Sequence, residues 1–469
     1  MSPAVDARKR CAVINVVGLT NRFCDGRLPR IEAFQSASGV RSARIRPMLP
    51  AVTSSVQATY LTGKTPAHHG IVGNGWYDRE RCEHLFWKQS DRLVRGPKLW
   101  EVLRSRDPKF TCARLFWWNN MYSAVDYSLT PRPIYCADGA KFFDVTSRPL
   151  SIRDEIKKSL GPFPFPQFWG PVAGIASSQW IGESARWIEQ RYQPNLNLVY
   201  LPHLDYDLQR FGPDDPAISR ALGEIDAVVG DLIQFFQERE VEPVLLSEYG
   251  ITAVNRPVHL NRLFRKQGWL QIKDELGRNT LELGDCRVVA IADHQIAHVY
   301  VQDSGMRRVV EEFLRAVPGV AEVLSEQGKW EAGLDHPRSG DLVAVSDAAS
   351  WFTYYFWDDD RRAPDYARTV DIHRKPGYDP VELFLDPELR FPKMKVGAKL
   401  LRKKLGMRTL MDVIPLDATL VKGSHGAVAG DAADWPVLVG RLPGLDDGTE
   451  LGAEDVFGKM LEFFGSETV

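Results

Sequence analysis

Three short apolar runs constrain the fold of this chain more than any other feature; the first ends at Gly18, and the two later ones end in polar residues. They cover residues 12–19, 196–202 and 242–250. Apolar runs of this length, bounded by turns, are typical of strands that are buried on both faces of a parallel sheet. Amphipathic segments with helical spacing lie between them, at residues 175–191 and 217–238. This alternation predicts an α/β fold with a mainly parallel central sheet that is flanked by helices.

The length of the chain, 469 residues, leaves room for insertions into one large core domain. Two ranges break the alternating pattern. Residues 113–170 are rich in aromatic residues and proline, and residues 345–420 combine an aromatic cluster with a basic stretch. We expect these two ranges to form a cap over the edge of the sheet. Residues 1–112, 171–344 and 421–469 are then expected to form the α/β core.

Charge and hydropathy exclude several classes of protein. The net charge is −2, which argues against binding of a nucleic-acid polymer through a broad positive field. No apolar run approaches the ~20 residues that a membrane span requires. The N-terminal apolar stretch lacks the cleavage site of a signal peptide, and none of the six cysteines forms a CxxC pair. We therefore expect a cytoplasmic protein with reduced thiols and no membrane span.

Residues 47–80 contain the strongest candidate for chemistry, Thr53. Pro50 biases the residue before it away from helical conformation, and residues 54–61 have the pattern of a helix that ends near Gly63. Thr53 is thus predicted at a helix N-terminus, where free backbone N–H groups favour an anion. Threonine is also a common helix cap with no further role. The residues that follow Thr53 distinguish between these interpretations.

These residues resemble the nucleophile region of the type I phosphodiesterase and nucleotide pyrophosphatase branch of the alkaline phosphatase superfamily. That branch has a threonine at a helix start, then TG, a proline, HGI and an asparagine; here these are Thr53, Thr62-Gly63, Pro66, His69-Gly70-Ile71 and Asn74. The resemblance extends from residue 12 to the C-terminus and implies an alkaline-phosphatase-like core. It implies Thr53 as the nucleophile and Asn74 as a donor to a phosphoryl oxygen, which stabilises charge in the transition state.

The same resemblance implies metal ligands, and two of them match the family well. The Gly-x-His-Gly element is intact and makes His425 the firmest candidate, and Asp205 matches an aspartate that follows a strand. At the end of the first strand, Val17 replaces the usual aspartate. Asn15, two residues earlier on the same side of the strand, is the candidate to replace it. The hydroxyl of Thr53 is expected to contact the metal as well.

Other ligand positions depart from the family. Gln209 stands in place of a histidine, Glu248 in place of an aspartate, and Tyr249 in place of a second histidine. Zinc prefers nitrogen and sulfur donors, so this oxygen-rich set suits Mn²⁺ or Mg²⁺ better than Zn²⁺. Asp371 and His373 would lie on one face of an extended segment and are candidate replacements for the lost ligands. One or two divalent metal ions are expected, Zn²⁺ or else Mn²⁺ or Mg²⁺.

Together these features predict a metal-dependent hydrolase of a phosphodiester, a nucleotide pyrophosphate or a phosphonate. The Thr53 alkoxide would attack phosphorus and form a phospho-threonine intermediate, which a metal-bound water would hydrolyse. The altered ligand positions leave two alternatives open. One is a degenerate member that binds a phosphorylated ligand without turnover, and the other is a phosphate-group mutase. In each case the expected partner is a small molecule.

Overall fold

The computed structural model describes residues 9–137 and 140–465. Its α-helices are α1 (Pro29–Gln35), α2 (Thr53–Thr62), α3 (Pro66–His69), α4 (Leu99–Arg106), α5 (Ser151–Leu160), α6 (Ile175–Tyr192), α7 (His203–Phe211), α8 (Ile218–Gln237), α9 (Leu260–Lys266), α10 (Arg307–Arg315), α11 (Glu326–Glu331), α12 (Pro392–Lys404) and α13 (Asp455–Phe463). Its strands are β1 (Cys11–Val16), β2 (Arg41–Ile45), β3 (Gly75–Asp78), β4 (Glu83–Phe86), β5 (Cys112–Leu115), β6 (Tyr127–Pro131), β7 (Ile134–Tyr135), β8 (Lys141–Phe142), β9 (Val145–Arg148), β10 (Leu196–Leu201), β11 (Glu242–Leu246), β12 (Thr252–Ala253), β13 (Arg256–Val258), β14 (Ile272–Glu275), β15 (Arg278–Leu281), β16 (Val288–Asp293), β17 (Ile296–Val301), β18 (Val320–Leu324), β19 (Leu342–Ser346), β20 (Ser350–Phe352), β21 (Gly423–Ser424), β22 (Val437–Gly440) and β23 (Glu450–Leu451).

The central sheet has nine strands in the order β23-β2-β22-β11-β1-β10-β5-β6-β9. The neighbours β11, β1, β10, β5 and β6 run parallel to one another, and β22 and β9 pair antiparallel near the two edges. The three apolar runs seen in the sequence become β1, β10 and β11, side by side at the centre. The predicted α/β fold with a mainly parallel sheet is confirmed.

The helices that cover this sheet follow the amphipathic segments of the sequence. Helix α6 packs on α8 and on β10, and α8 also contacts α1, α7 and β11. The apolar faces of these helices are buried with the sheet in one hydrophobic core, which includes Ile181, Ile188, Ile225 and Val229. Both predicted helices agree with the observed bounds to within one residue. The carboxyl ends of β1, β10 and β11 thereby meet on one side of the sheet.

A second, antiparallel sheet has the order β16-β17-β19-β18 and a hydrophobic core of its own. The aromatic cluster of the sequence, with Trp351, Tyr354 and Trp357, is buried in this core. In the range 113–170, strands β6 and β9 extend the edge of the central sheet. This range therefore supplies part of the sheet, and the division of the chain into core and cap stays a prediction. Among the described residues, none of the helices is both long enough and apolar enough to cross a bilayer.

A buried ion cluster holds the segment that follows Arg374. The Nζ of Lys375 lies 2.6 Å from Asp379 Oδ2 and 2.6 Å from Glu382 Oε1, and all three side chains are buried. The other carboxylate oxygen of Glu382 accepts a hydrogen bond from Trp169 Nε1 at 2.6 Å. Because buried charges must be paired, this cluster fixes the path of the chain around Tyr378.

We expect Lys375→Met to lower the free energy of unfolding by about 3–5 kcal/mol, because it leaves two buried carboxylates without a cation. Urea denaturation followed by circular dichroism measures the change. The matched control is Arg308→Ala, which breaks an exposed pair with Glu312 and should change stability little. An equally small effect at Lys375 would show that the cluster does not hold this segment.

Candidate active site

Thr53 lies at the start of α2, where the sequence predicts it. Val52 before it is extended (φ −132°, ψ 151°), and Thr53 is the first helical residue. Its side chain is buried, and its Oγ1 lies 3.0 Å from the hydroxyl oxygen of Tyr249. The hydroxyl of Thr53 therefore faces a polar cluster in the interior of the protein.

Asn74 connects the start of α2 to the second sheet. Its Oδ1 accepts a hydrogen bond from the backbone N–H of Ser54 at 3.0 Å. Its backbone N–H and its Nδ2 donate to the carboxylate of Asp293, at 2.7 and 3.0 Å. Asn74 is thus a helix cap held in place by a buried carboxylate. The role of Asn74 as a donor to a phosphoryl oxygen stays a prediction. The Nδ2 hydrogen that does not bond to Asp293 would make that contact.

The HGI motif has a structural role in the described part of the chain. His69 is buried and bonds through Nε2 with the hydroxyl of Thr59, on the helix that Thr53 begins. Its Nδ1 accepts from the backbone N–H of Ile71 at 3.1 Å. Burial lowers the pKa of His69 to about 3, so this ring is neutral. The motif positions Asn74 by fixing the turn between α2 and β3.

His425 reaches the cluster from the short strand β21. At Gly423 a Cβ atom would lie 2.1 Å from the carbonyl oxygen of Leu208, so only glycine allows this close approach. His425 Nδ1 bonds with the carbonyl oxygen of Ala51 at 2.8 Å, and burial holds the pKa of His425 well below its usual value. The buried Nε2 has no hydrogen-bond partner and lies 3.9 Å from Asp205 Oδ1.

Four aromatic rings form a continuous stack behind this cluster. The ring centroids of Tyr249 and His425 are 3.6 Å apart, with an angle of 8° between the planes. His425 lies 3.7 Å from His294, and His294 lies 3.6 Å from Tyr378. The stack holds the hydroxyl of Tyr249 against Thr53, since the ring cannot turn without losing its contact with His425.

Glu248 is a buried carboxylate that amide groups surround. Its Oε1 accepts hydrogen bonds from Asn15 Nδ2 and Gln57 Nε2, both at 2.6 Å. Its Oε2 is buried without a partner. Burial raises the pKa of Glu248 to about 8, and the hydrogen bonds from Gln57 and Asn15 partly offset this rise. The predicted ligands Asn15 and Glu248 are therefore neighbours, and each is engaged by the other.

Asp205 has a similar environment. Its Oδ2 accepts a hydrogen bond from Gln209 Nε2 at 2.9 Å, and its Oδ1 lies 3.5 Å from the hydroxyl of Tyr249. Gln209 is oriented in turn by the hydroxyl of Tyr378, which donates to Gln209 Oε1 at 3.0 Å. Burial raises the pKa of Asp205 to about 7. Both carboxyl groups of the site are thus desolvated and bonded to neutral donors.

Asp371 and His373 make their contacts elsewhere. Residues 372–374 form a turn, so the extended segment expected from the sequence is wrong. The backbone N–H of Asp371 donates to Glu382 at 2.9 Å, and His373 Nδ1 lies 3.4 Å from the carbonyl oxygen of Phe86. The ion cluster around Lys375 dictates this turn. The structure brings together Thr53, Asn15, Asp205, Gln209, Glu248 and His425, with Asn74 at the adjoining helix start, and leaves these two residues apart.

The residues present do not fit the two-metal ligand set that the resemblance implies. Within residues 9–137 and 140–465, no three or more His, Cys, Asp or Glu side chains are grouped so that they could hold a metal ion. Gln209 and Tyr249 are not zinc ligands. The carboxylates of Asp205 and Glu248 already accept N–H groups.

Four residues that contribute to the site were not predicted from the sequence. Asp293 is the last residue of the buried apolar strand β16 and His294 follows it, so a search for polar residues at the ends of apolar strands would have found them. Gln57 lies four residues after Thr53 and hence on the same face of α2. Tyr378 carries no sequence signal, because only the fold brings it to Gln209.

The raised pKa of Glu248 predicts a pH-dependent stability. Between the ordinary value of 4.5 and about 8 the unfolded chain loses this proton and the folded chain keeps it, so stability falls as pH rises through this window. Glu248→Gln removes this effect and retains an acceptor for Asn15 and Gln57. We expect the variant to gain a few kcal/mol over the parent between pH 5 and pH 9, because each tenfold difference in proton affinity between the folded and unfolded chain corresponds to about 1.4 kcal/mol.

Thermal and urea unfolding across this range measure the difference. Glu312→Gln, which changes an exposed carboxylate, is the control and should follow the parent at every pH. Parallel stability curves for the parent and Glu248→Gln would contradict a neutral, buried carboxyl at this position.

Known proteins resemble the chain in sequence and in fold. Residues 11–379 match the type I phosphodiesterase/nucleotide pyrophosphatase family. An uncharacterised pyrophosphatase/phosphodiesterase of Schizosaccharomyces pombe is 27% identical over 233 residues, which are 46% of this chain and 40% of that protein. An ectonucleotide pyrophosphatase/phosphodiesterase 1 of Saccharomyces cerevisiae is 24% identical over 235 residues, 45% of this chain and 29% of its own length. The match thus spans less than half of these relatives.

Two solved structures share the fold over nearly the whole chain. Phosphonoacetate hydrolase from Sinorhizobium meliloti, in complex with phosphonoacetate, has a TM-score of 0.60 at 16% identity and covers 99% of this chain and 98% of its own. An inactive variant of murine ectonucleotide pyrophosphatase/phosphodiesterase 5, in complex with AMP, has a TM-score of 0.58 at 13% identity, with 98% and 96% covered. These similarities confirm the alkaline-phosphatase-like fold. The chain belongs to the type I phosphodiesterase and nucleotide pyrophosphatase family.

Proposed function

We propose that this chain is a phosphoric ester hydrolase that attacks a small phosphate ester or phosphonate with the hydroxyl of Thr53. The observation that carries the proposal is the position of this hydroxyl, which lies at a helix start, 3.0 Å from the Tyr249 hydroxyl, in a buried polar cluster. Membership of the family and the hydrolase among the structural neighbours support it. AMP and phosphonoacetate, bound in the two neighbours, both carry a phosphorus centre of the proposed kind.

The proposed reaction proceeds in two steps. The Oγ1 of Thr53 forms a bond to phosphorus as the bond from phosphorus to the leaving oxygen breaks, and the phosphoryl or phosphonyl group stays on Thr53 with its remaining substituent. Water then hydrolyses this intermediate and regenerates Thr53. In this proposal Asn74 Nδ2, which also bonds to Asp293, and the hydroxyl of Tyr249, which bonds to Thr53, donate to phosphoryl oxygens as charge develops on them.

The proton of Thr53 needs an acceptor, and we assign this role to Glu248. Its Oε2 is buried without a partner, and its Oε1 is held by Asn15 and by Gln57, which lies one helical turn after Thr53. The raised pKa of about 8 makes the ionised form a stronger base than an ordinary carboxylate. The family generally depends on divalent metal ions. We assign the roles of proton acceptor and charge stabiliser to side chains of this chain. The cytoplasmic location stays a prediction.

A second candidate function is binding of a phosphorylated ligand without turnover. One observation favours it: both carboxylates of the site and the hydroxyl of Thr53 are already engaged by neutral neighbours, namely Gln209, Asn15, Gln57 and Tyr249. Such a site is well ordered for binding, and catalysis would require Thr53 to lose its proton within it.

Turnover of bis(p-nitrophenyl) phosphate and of p-nitrophenyl phenylphosphonate decides between these functions. We expect Thr53→Ala to lower kcat by at least about 100-fold, because it removes the nucleophile. Thr62→Ala on the same helix is the control, since the hydroxyl of Thr62 donates only to the carbonyl of Ala58. Mass spectrometry of acid-quenched reactions should detect Thr53 carrying a p-nitrophenyl phosphoryl group after reaction with the diester, or a phenylphosphonyl group after reaction with the phosphonate.

Other outcomes identify the alternatives. Ligand binding without turnover, with or without added Zn²⁺, Mn²⁺ or Mg²⁺, would establish the binding protein. Transfer of phosphate to a second hydroxyl instead of water would establish the mutase. Full activity of Thr53→Ala would exclude Thr53 as the nucleophile.

A further inference from the structure

We propose that the Thr53 site binds its phosphoryl ligand with the hydroxyl of Tyr249 and the side-chain amide of Asn74, in place of a divalent metal ion. The inference rests on the proposed function, and it is consistent with the diester substrates that the family name implies: singly charged phosphodiesters or phosphonate monoesters in preference to doubly charged phosphate monoesters. Binding and turnover are then independent of added metal.

The position of the Tyr249 hydroxyl is the first argument. Its oxygen lies 3.0 Å from Thr53 Oγ1 and 3.5 Å from Asp205 Oδ1, so it links two groups that were expected to share metal ions. The Tyr249 ring is 2% exposed and stacks on His425 at 3.6 Å. A metal ion between Thr53 and Asp205 would have to displace this hydroxyl and break the stack.

The direction of the amide groups is the second argument. Asn15 and Gln57 present N–H groups to Glu248, and Gln209 presents an N–H group to Asp205. A metal ion binds through the lone pairs of carboxylate oxygens. Here Glu248 Oε1 and Asp205 Oδ2 already use lone pairs to accept N–H hydrogen bonds from the amides. The hydroxyl of Tyr378 donates to Gln209 Oε1 and so keeps Gln209 Nε2 turned towards Asp205.

The charge of the site sets the class of ligand. Asp205 and Glu248 are both buried beside Thr53, and the buried cation Lys375 is fully engaged by Asp379 and Glu382. Transfer of a charge into such surroundings is costly, and each further negative charge adds to the cost. A singly charged diester therefore fits this site better than a doubly charged monoester.

Metal analysis and activity with chelator test the inference on the intact chain. After incubation with Zn²⁺, Mn²⁺ or Mg²⁺ and gel filtration, elemental analysis should find less than one equivalent of metal per chain. Turnover of bis(p-nitrophenyl) phosphate should be unchanged in EDTA, and kcat/KM for this diester should exceed that for p-nitrophenyl phosphate. One bound equivalent with loss of turnover in EDTA would overturn the inference.

Two variants make the test independent of activity. The combined change Val17→Asp, Gln209→His, Glu248→Asp and Tyr249→His supplies the missing ligands, and it should bind zinc stoichiometrically and gain thermal stability in zinc. Tyr249→Phe keeps the ring stack and should bind the diester roughly 10-fold more weakly, because one hydrogen bond is lost. Unchanged affinity of Tyr249→Phe would contradict the role of the hydroxyl. A metal-free chain that binds the diester but never turns it over would refute the hydrolase proposal and leave this inference standing.

A different part of the molecule carries a second inference, which is independent of the active site. Helix α12 and its flanks contain eight Lys and Arg residues and no Asp or Glu between residues 389 and 411, in a chain of net charge −2. Large apolar side chains of the same segment are 45–71% exposed: Phe391, Met394, Leu400, Leu401, Leu405, Met407 and Leu410. Exposed apolar and basic side chains on one short segment are typical of helices that lie on anionic bilayers.

The rest of the protein holds this segment by one face only. Val396 packs against the second core, and Lys399 donates to the carbonyl oxygen of Leu410 at 2.7 Å and pairs with Asp412. Beside this contact is an open cavity of about 560 Å³ that is lined by Lys399, Arg402 and Arg408 among others. Because three basic residues line this cavity together with the exposed side chains of Met407 and Leu410, we infer that the segment docks on an anionic lipid bilayer.

Flotation with vesicles tests this surface. The protein should float with vesicles of phosphatidylcholine and phosphatidylserine at low salt, and less with phosphatidylcholine alone or at high salt. Lys393→Glu with Arg402→Glu should weaken binding at least about 10-fold, at about 1 kcal/mol per basic residue. The control pair, Leu276→Gln with Arg308→Glu, alters equally exposed residues elsewhere and should float like the parent. Both double variants should turn over a soluble diester at the same rate as the parent protein.

Two results would overturn the docking proposal. One is failure to float with anionic vesicles at low salt, and the other is equal flotation of both double variants. Capture of single-stranded nucleic acid with no binding to vesicles would assign the surface to a different class of partner.

Discussion

The stack of Tyr249, His425, His294 and Tyr378 is the interaction on which the rest of the site depends. Tyr249 belongs to the core of the central sheet, and Tyr378 belongs to the core of the second sheet. The two imidazoles between them are neutral, since burial holds the pKa of each well below its usual value. Neutral rings can stack at 3.6–3.7 Å, whereas two charged rings would repel each other. The stack thus needs protonation states that burial supplies.

Desolvation also explains how two acidic residues are accommodated beside Thr53. Asp205 and Glu248 are buried in a polar cluster away from water, where an unpaired charge is costly. A raised pKa and hydrogen bonds from amide groups lower this cost without a cation. The cost of burying the two carboxyl groups is therefore offset by neutral hydrogen-bond donors of the protein. This offset is consistent with amides and a phenol at positions where the family resemblance implies metal ligands.

The sequence predicts much of this arrangement and fails at identifiable places. The parallel core follows from the three apolar runs, because runs of that length that alternate with amphipathic helices are compatible with few other folds. Thr53, Asp205, Glu248 and His425 come together as the motifs imply. Asp371 and His373 do not join them, because short-range alternation says nothing about a turn that the distant residues around Lys375 impose. Tyr378 was not predictable, since a tyrosine in a loop has no local feature that reveals a partner almost 170 residues away.

The contacts of Asn74 have a consequence for how the molecule unfolds. Asn74 caps the helix of the central sheet and is held by a carboxylate from the second sheet, so loss of either core leaves polar groups of the other unpaired. The two cores should therefore melt in one cooperative transition despite their separate hydrophobic clusters. A chain built in this way has little freedom for its halves to swing apart, so exchange of ligand with solvent must rely on movements smaller than the opening of one core from the other.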